Sequence, residues 1–123
     1  MIIGIGLDLV KAARMGRWPE TGLLMRYFDE AEARAVLGRG SGAALSLAGR
    51  FAAKEAFGKA LGTGLVGIAL RDIRVKDGPC GRPELCLAGT AKKALEKSGA
   101  NGIHLSISHE GEYAAAMVVL EKD

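Results

Sequence analysis

Two kinds of side chain alternate at the start of the chain. Ile3, Ile5, Leu7 and Leu9 fall on one row, and Gly4, Gly6 and Asp8 on the other, so residues 2–10 carry the twofold period of a strand. Glycine weakens a strand, so two on one face imply the close approach of another group or the tight packing of a helix. Residues 11–17 predict a short helix that stops before Pro19. Asp29 followed by Glu32 is a capping-box-like start for a helix over residues 31–37, which Gly38 ends. The glycine-rich run 38–42 predicts a mobile loop. Residues 45–61 form the longest predicted helix, rich in alanine, apolar on most sides and so expected to be largely buried. Gly62, Thr63 and Gly64 stop it. Strands over 72–76 and 84–87 flank a turn holding Gly78, Pro79, Gly81 and Pro83. An amphipathic helix over 90–98 ends at Gly99, and strands over 103–108 and 113–120 join around Glu110 and Gly111. The order is α+β with a terminal hairpin, in a single domain covering 1–123.

Composition narrows the function. A chain of 123 residues, 49% of them hydrophobic, has enough for a core but keeps a large surface relative to it, which makes self-association natural. A net charge of +3 is too small to argue for nucleic acid, and 5% aromatics leave little for base stacking. The charge is uneven: Lys11, Arg14, Arg17 and Arg26 share a stretch with one acid, Glu20. That stretch is either a solvated face or a docking surface. Cys80 and Cys86 match no metal spacing or disulfide framework and suit a cytoplasmic protein. Residues 1–10 lack the marks of a signal peptide, and no apolar run approaches the roughly 18 residues of a membrane span.

Phe51, Glu55 and Lys59 lie on one row of the long predicted helix. Glu55 and Lys59 can pair as a surface salt bridge. The helix is not polar, however, and a carboxylate in apolar surroundings needs a partner. Asp8 is a second such carboxylate. Two that meet repel unless a cation lies between them, and hard carboxylate oxygens suit Mg²⁺, which keeps waters and binds substrate phosphates. Arg50, Lys54 and Lys59 add cations along the same helix. The amides of Gly62, Thr63 and Gly64 either cradle phosphate or simply cap the helix. His104 lies with Ser106 and Ser108, whereas His109 continues the row of Ile103, Leu105 and Ile107. A strand-end histidine is either a surface residue or a phosphate contact. No Ser–His–acid or His–Cys triad can be ordered.

The opening Gly4-Ile5-Gly6-Leu7-Asp8, the run from Gly49-Arg50-Phe51 through Lys54-Glu55-Ala56-Phe57, its continuation Lys59-Ala60-Leu61-Gly62-Thr63-Gly64, and Ser106-Ile107-Ser108-His109 occur in this order. Together they resemble the holo-acyl-carrier-protein synthases, the small bacterial class of phosphopantetheinyl transferases, over residues 1–120. The resemblance implies an antiparallel sheet packed with a long buried helix, in a homotrimer whose active sites lie between subunits. It implies transfer of 4′-phosphopantetheine from coenzyme A to a serine of apo-acyl carrier protein, with Mg²⁺, in support of fatty acid biosynthesis. Carried over, Asp8 and Glu55 would hold Mg²⁺, with Glu55 and Lys59 catalytic. Lys59 and the turn of Gly62, Thr63 and Gly64 would meet the diphosphate, and Arg50 and His109 the 3′-phosphate end. Arg14 and Arg26 would face the carrier protein. The serine proton would pass to Glu55 or to a metal-bound water. Lys11 and Ala12 depart from the acidic and larger aliphatic residues usual in the family, which bears on carrier recognition and not on the metal site. A non-catalytic carrier-binding or coenzyme A-binding module would dispense with one metal carboxylate, whereas both are present here.

Overall fold

Strand β1 (Ile2–Lys11) presents Gly4 and Gly6, which have no side-chain bulk, on the first part of its inward row, and a helix fills the space this leaves. In the computed structural model, which describes residues 1–20 and 22–123, a Cβ on Gly4 would lie 1.9 Å from the Ala60 carbonyl oxygen, and one on Gly6 would lie 1.9 Å from that of Ala56. Both carbonyls belong to a 19-residue helix (Ala43–Leu61). The strand's two glycines and the helix's alanines thus let two backbones meet almost directly, and tight packing of a helix over the strand is the reading that holds.

The elements follow the sequence order closely. After β1 come helices α1 (Leu23–Tyr27), α2 (Glu30–Leu37) and α3 (Ala43–Leu61), strands β2 (Ile73–Asp77) and β3 (Pro83–Leu87), helix α4 (Gly89–Ser98), and strands β4 (Gly102–Glu110) and β5 (Tyr113–Glu121). The sheet that carries α3 is antiparallel with order β1-β5-β4, and β2 and β3 form a separate antiparallel ribbon. Inward-facing Ala114, Ala116, Val118 and Leu120 of β5 are buried against α3, together with Leu47, Ala52, Ala56 and Phe57. The antiparallel sheet under a long buried helix is therefore present as expected. Among the described residues, no helix is long and apolar enough to cross a membrane.

Three local expectations change. The predicted helix over 11–17 is a single 3₁₀ turn, Ala12–Met15, because β1 runs on to Lys11 and the Ala12 amide donates to the Glu112 carbonyl at 2.7 Å. α1 is not foreseen by the sequence pattern. It is five residues long and brings Tyr27 beside Trp18, which also stands edge-on to Phe28 and Phe51. The glycine run read as a mobile loop holds a 3₁₀ turn at Gly40–Gly42, and α3 starts directly after it.

The outward row of β1 is exposed and apolar. Ile5, Leu7 and Leu9 are each about 60% accessible, and Met117 lies opposite Leu7 on β5. Gly6→Ala is expected to destabilise the fold by about 1–3 kcal/mol or more, since α3 must lift from β1 to admit one methyl group. Gly22→Ala is the control, because a Cβ there meets nothing within 4 Å and the backbone is already right-handed. Urea unfolding of both variants checks the contrast.

Candidate active site

Asp8 is the next inward residue of β1 after the two glycines, so the close strand–helix contact delivers its carboxylate to α3. Lys59 donates from Nζ to Asp8 Oδ1 at 2.9 Å and to the Leu7 carbonyl at 3.0 Å. The lysine therefore pairs with Asp8, not with Glu55 one turn before it. Glu55 is half-buried and, among the described residues, makes no hydrogen bond or ion pair. Burial first, and the neighbouring Asp8 second, hold its carboxyl above the ordinary glutamate range, while Lys59 and Arg14 pull it back. Two carboxylates, one of them without a partner, and a lysine thus converge where β1 meets α3. No third His, Cys, Asp or Glu joins them among the described residues. Two hard oxygen donors with room for water and phosphate fit Mg²⁺, which seldom takes a complete protein cage.

Arg14 follows on the 3₁₀ turn, exposed and 5.8 Å from the centre of the Phe51 ring. The predicted helix over 11–17 would have carried both Arg14 and Arg17, but the turn ends at Met15, and Arg17 lies beyond it, paired with Glu20. Lys11 pairs with Glu112. Arg26 stacks over Tyr27, so Arg14 and Arg26 are the cations of this stretch without an acidic partner among the described residues.

At the other end of the row, Gly62 caps α3 in the left-handed conformation (φ 81°) and Gly64 has φ 67°. The Gly62 amide donates to the Lys59 carbonyl and the Gly64 amide to that of Gly58. Two of the turn's three amides therefore close the helix, which leaves the Thr63 amide as the turn's open donor among the described residues. The Thr63 hydroxyl makes a long bond, 3.4 Å, to the Gly64 carbonyl.

A second place lies elsewhere on α3. A cavity of about 420 Å³ is lined by Arg39, Leu45, Ser46, Gly49, Arg50 and His109, among others. Gly49 keeps it open beside β4, since a Cβ there would lie 3.1 Å from the Ile107 side chain. His109 sits at its mouth, exposed, at the end of the inward row of β4, whereas His104 on the outward row pairs with Glu121 at 2.7 Å. Arg39 reaches Asp77 across the rim at 3.0 Å.

Arg50 and Lys54 correct the picture of a helix lined with available cations. Lys54 is fully buried, bonded to Glu32 and to the carbonyls of Leu70 and Ile73. Burial pushes its ammonium below the ordinary lysine range, against the pull of Glu32. Arg50 is 5% exposed and donates from one terminal nitrogen to the Val75 carbonyl at 2.6 Å and to Glu32 at 3.4 Å. Glu32 is the residue that sequence reasoning missed. Its backbone amide completes the expected cap on Asp29, but its side chain turns inward instead of back to the cap. The available signal was two cations on an apolar helix, which require a buried acid from another segment.

Arg50 and Glu55 are five residues apart, which separates them by about 140° around the helix and about 7.5 Å along it. The carboxylate cluster and the cavity therefore open on different sides of one chain, and Asp8, Glu55 and Lys59 do not line the cavity.

The family model described as the 4′-phosphopantetheinyl transferase superfamily matches residues 4–118. A holo-[acyl-carrier-protein] synthase of Treponema denticola is 53% identical over 122 residues, covering 98% of this chain and 99% of that one. One from Treponema pallidum is 44% identical, covering 98% and 97%. The crystal structure of the Neisseria meningitidis holo-[acyl-carrier-protein] synthase superposes with a TM-score of 0.89 at 36% identity, covering 99% of this chain and all of that one. That of the Helicobacter pylori enzyme, in complex with coenzyme A, gives 0.78 at 31% identity, covering 95% and 99%.

The raised Glu55 carboxyl has a consequence for stability. The native state holds that proton more tightly than the unfolded chain, so stability falls as pH rises from the ordinary glutamate range through the raised value. With a chelator present at pH 7, Glu55→Gln is expected to melt at a higher temperature than the wild type. The gain should vanish below the ordinary glutamate range, where Glu55 is protonated in both states. Melting curves across pH check both limbs.

Proposed function

Because the chain belongs to the 4′-phosphopantetheinyl transferase superfamily, we propose that it acts as a holo-acyl-carrier-protein synthase. It moves the 4′-phosphopantetheine arm of coenzyme A to a serine of apo-acyl carrier protein and releases adenosine 3′,5′-bisphosphate. The observation that carries this reading past the fold is the convergence of Asp8, Glu55 and Lys59 at the contact of β1 with α3. Its site of action is the cytoplasm, in keeping with two free thiols, and its product serves fatty acid biosynthesis.

The serine oxygen forms a bond to the β-phosphorus, and the bond from that phosphorus to the bridging oxygen of the adenosine bisphosphate breaks. Such a transfer needs alignment and charge neutralisation more than covalent help. Asp8 and Glu55 would hold Mg²⁺, which when bound supplies positive charge to the diphosphate. Lys59 fixes Asp8 through Oδ1 and presents a second positive charge beside the same oxygens. The serine proton would pass to Glu55 or to a water beside it. Thr63 in the glycine turn offers its open amide to the diphosphate, with Gly62 and Gly64 shaping the turn. Arg50 and His109 bind the 3′-phosphate in the cavity. Arg14, beside Glu55, and Arg26 meet the acidic carrier protein.

One chain opens its carboxylate cluster and its cavity on different sides of α3, and it leaves Ile5, Leu7, Leu9 and Met117 uncovered. A homotrimer would bury this apolar face and set the cavity of one subunit against the carboxylates of the next.

Intact mass of an apo-carrier protein incubated with this protein, coenzyme A and Mg²⁺ should show the added pantetheine arm. Asp8→Ala and Glu55→Ala should each lose about 100-fold or more in rate, as expected for several kcal/mol of charge stabilisation. A chelator should reproduce the loss and Mg²⁺ reverse it, whereas full activity in either variant rejects the assignment. In the same assay Arg14→Glu should raise KM for the carrier well above any change for coenzyme A, with the difference shrinking as salt rises. The shared site has its own test. Inactive Asp8→Ala subunits mixed with inactive Arg50→Gln subunits should regain activity if the two residues meet from different chains. Activity that stays absent in verified mixed assemblies, or an active monomer by light scattering, overturns the shared site.

A further inference from the structure

We propose that Glu32 is a positioning residue for the donor: from inside α2 it holds one edge of Arg50 so that the opposite edge faces the cavity. This rests on the reading that the cavity takes the 3′-phosphate of coenzyme A.

Glu32 is 4% exposed, and each of its oxygens is used. Oε1 accepts from Lys54 at 2.8 Å, while Oε2 accepts from the Val75 amide at 3.0 Å and from Arg50 at 3.4 Å. One carboxylate thus ties α2 to α3 and to β2. Lys54 spends its ammonium on Glu32 and two carbonyls and does not line the cavity. Arg50 differs. Both of its protein bonds use Nη1, and Nε and Nη2 have no partner among the described residues. No side-chain nitrogen or oxygen among the described residues is both sealed from solvent and unbonded, so those two donors are reached from outside. Arg50 lines the cavity, and the open edge of a guanidinium is the shape that grips two phosphate oxygens at once.

Charge points the same way. Glu32 carries one negative charge against the two positive charges of Arg50 and Lys54. The cluster therefore keeps one surplus positive charge, at the residue that borders the cavity. If Glu32 merely balanced charge, any change that restores the balance would restore function. If it fixes the direction of Arg50, balance without the carboxylate will not suffice, because a guanidinium misplaced by about 1 Å loses much of its value.

The test compares coenzyme A with 3′-dephospho-coenzyme A, by calorimetric titration with Mg²⁺ and by steady-state kinetics. Glu32→Gln/Lys54→Met removes one charge of each sign and keeps the Arg50 bond to the Val75 carbonyl. Wild type should bind coenzyme A about tenfold or more tighter than the dephospho form. The double variant should bind both at close to the dephospho level, with KM for coenzyme A raised and with kcat at saturation and KM for the carrier within about threefold of wild type. A fold defect would not produce a loss confined to the ligand with the 3′-phosphate. If the double variant does not fold, Glu32→Asp keeps the charge and withdraws it by one methylene, and a selective loss for coenzyme A is expected there too. A double variant, or Glu32→Asp in its place, that still discriminates between the two ligands as wild type does overturns the positioning role alone. Wild type that fails to discriminate, or Arg50→Gln that binds coenzyme A normally, overturns the reading of the cavity and the proposal with it.

Discussion

The contact between the backbones of β1 and α3 governs the rest of the molecule. It is possible only because Gly4 and Gly6 present no side chain to the carbonyls of Ala60 and Ala56. A strand alternates its faces, so clearing the inward face of bulk forces Ile5, Leu7 and Leu9 outward. The same alternation makes Asp8 the next inward residue, where the strand has come within side-chain reach of Lys59. One packing constraint thus produces a carboxylate aimed at the helix on one face of the sheet and an apolar surface on the other.

A second constraint organises another side of the helix. Arg50 and Lys54 lie in the apolar centre of the fold, where an unpaired cation is costly. Glu32 meets both, together with the carbonyls of Leu70, Ile73 and Val75. Removal of one member of such a cluster leaves the others stranded, so α2, α3 and β2 are held in one arrangement. That arrangement defines the wall of the cavity at Arg50.

Much of this fold is readable from residue pattern alone. The long alanine-rich apolar run and the glycines after Leu61 mark α3, and twofold alternation marks β1 and β4. Period two defines a strand's faces but not which one is inward, and in β1 the apolar row is the one that faces out. The extension of β1 to Lys11 depends on Glu112, a hundred residues later, and no local signal in residues 11–17 reports it. The candidate site divides in the same way. Asp8, Glu55 and Lys59 stand out because charged residues in apolar segments require explanation. The partner of Lys59 does not: Glu55 is its neighbour along the helix row, yet Asp8, from the first strand, is the nearer acid in space. Glu32 hides for a different reason. Its position satisfies the pattern of a helix cap, and that local explanation leaves nothing to suggest that its carboxylate belongs to residues 18 and 22 places further on.

Two sides of α3 must differ in character if one helix is to serve both halves of a phosphoryl transfer. Binding a donor calls for cations that do not move, and these are gained by burial and internal bonding, as at Arg50. Charge neutralisation at the reacting phosphorus calls for carboxylates that keep free oxygens for a cation, and these must stay near solvent, as at Asp8 and Glu55. A single face of one helix cannot be both sealed and open. Separation by five residues places the two environments on different sides, so on the proposed function they can act on one coenzyme A molecule only if it spans two chains. The uncovered row of β1 is then more than leftover apolar surface. The glycines that admit α3 to β1 create that row, and in the proposed trimer the row would supply the area against which a second subunit brings its cavity to these carboxylates.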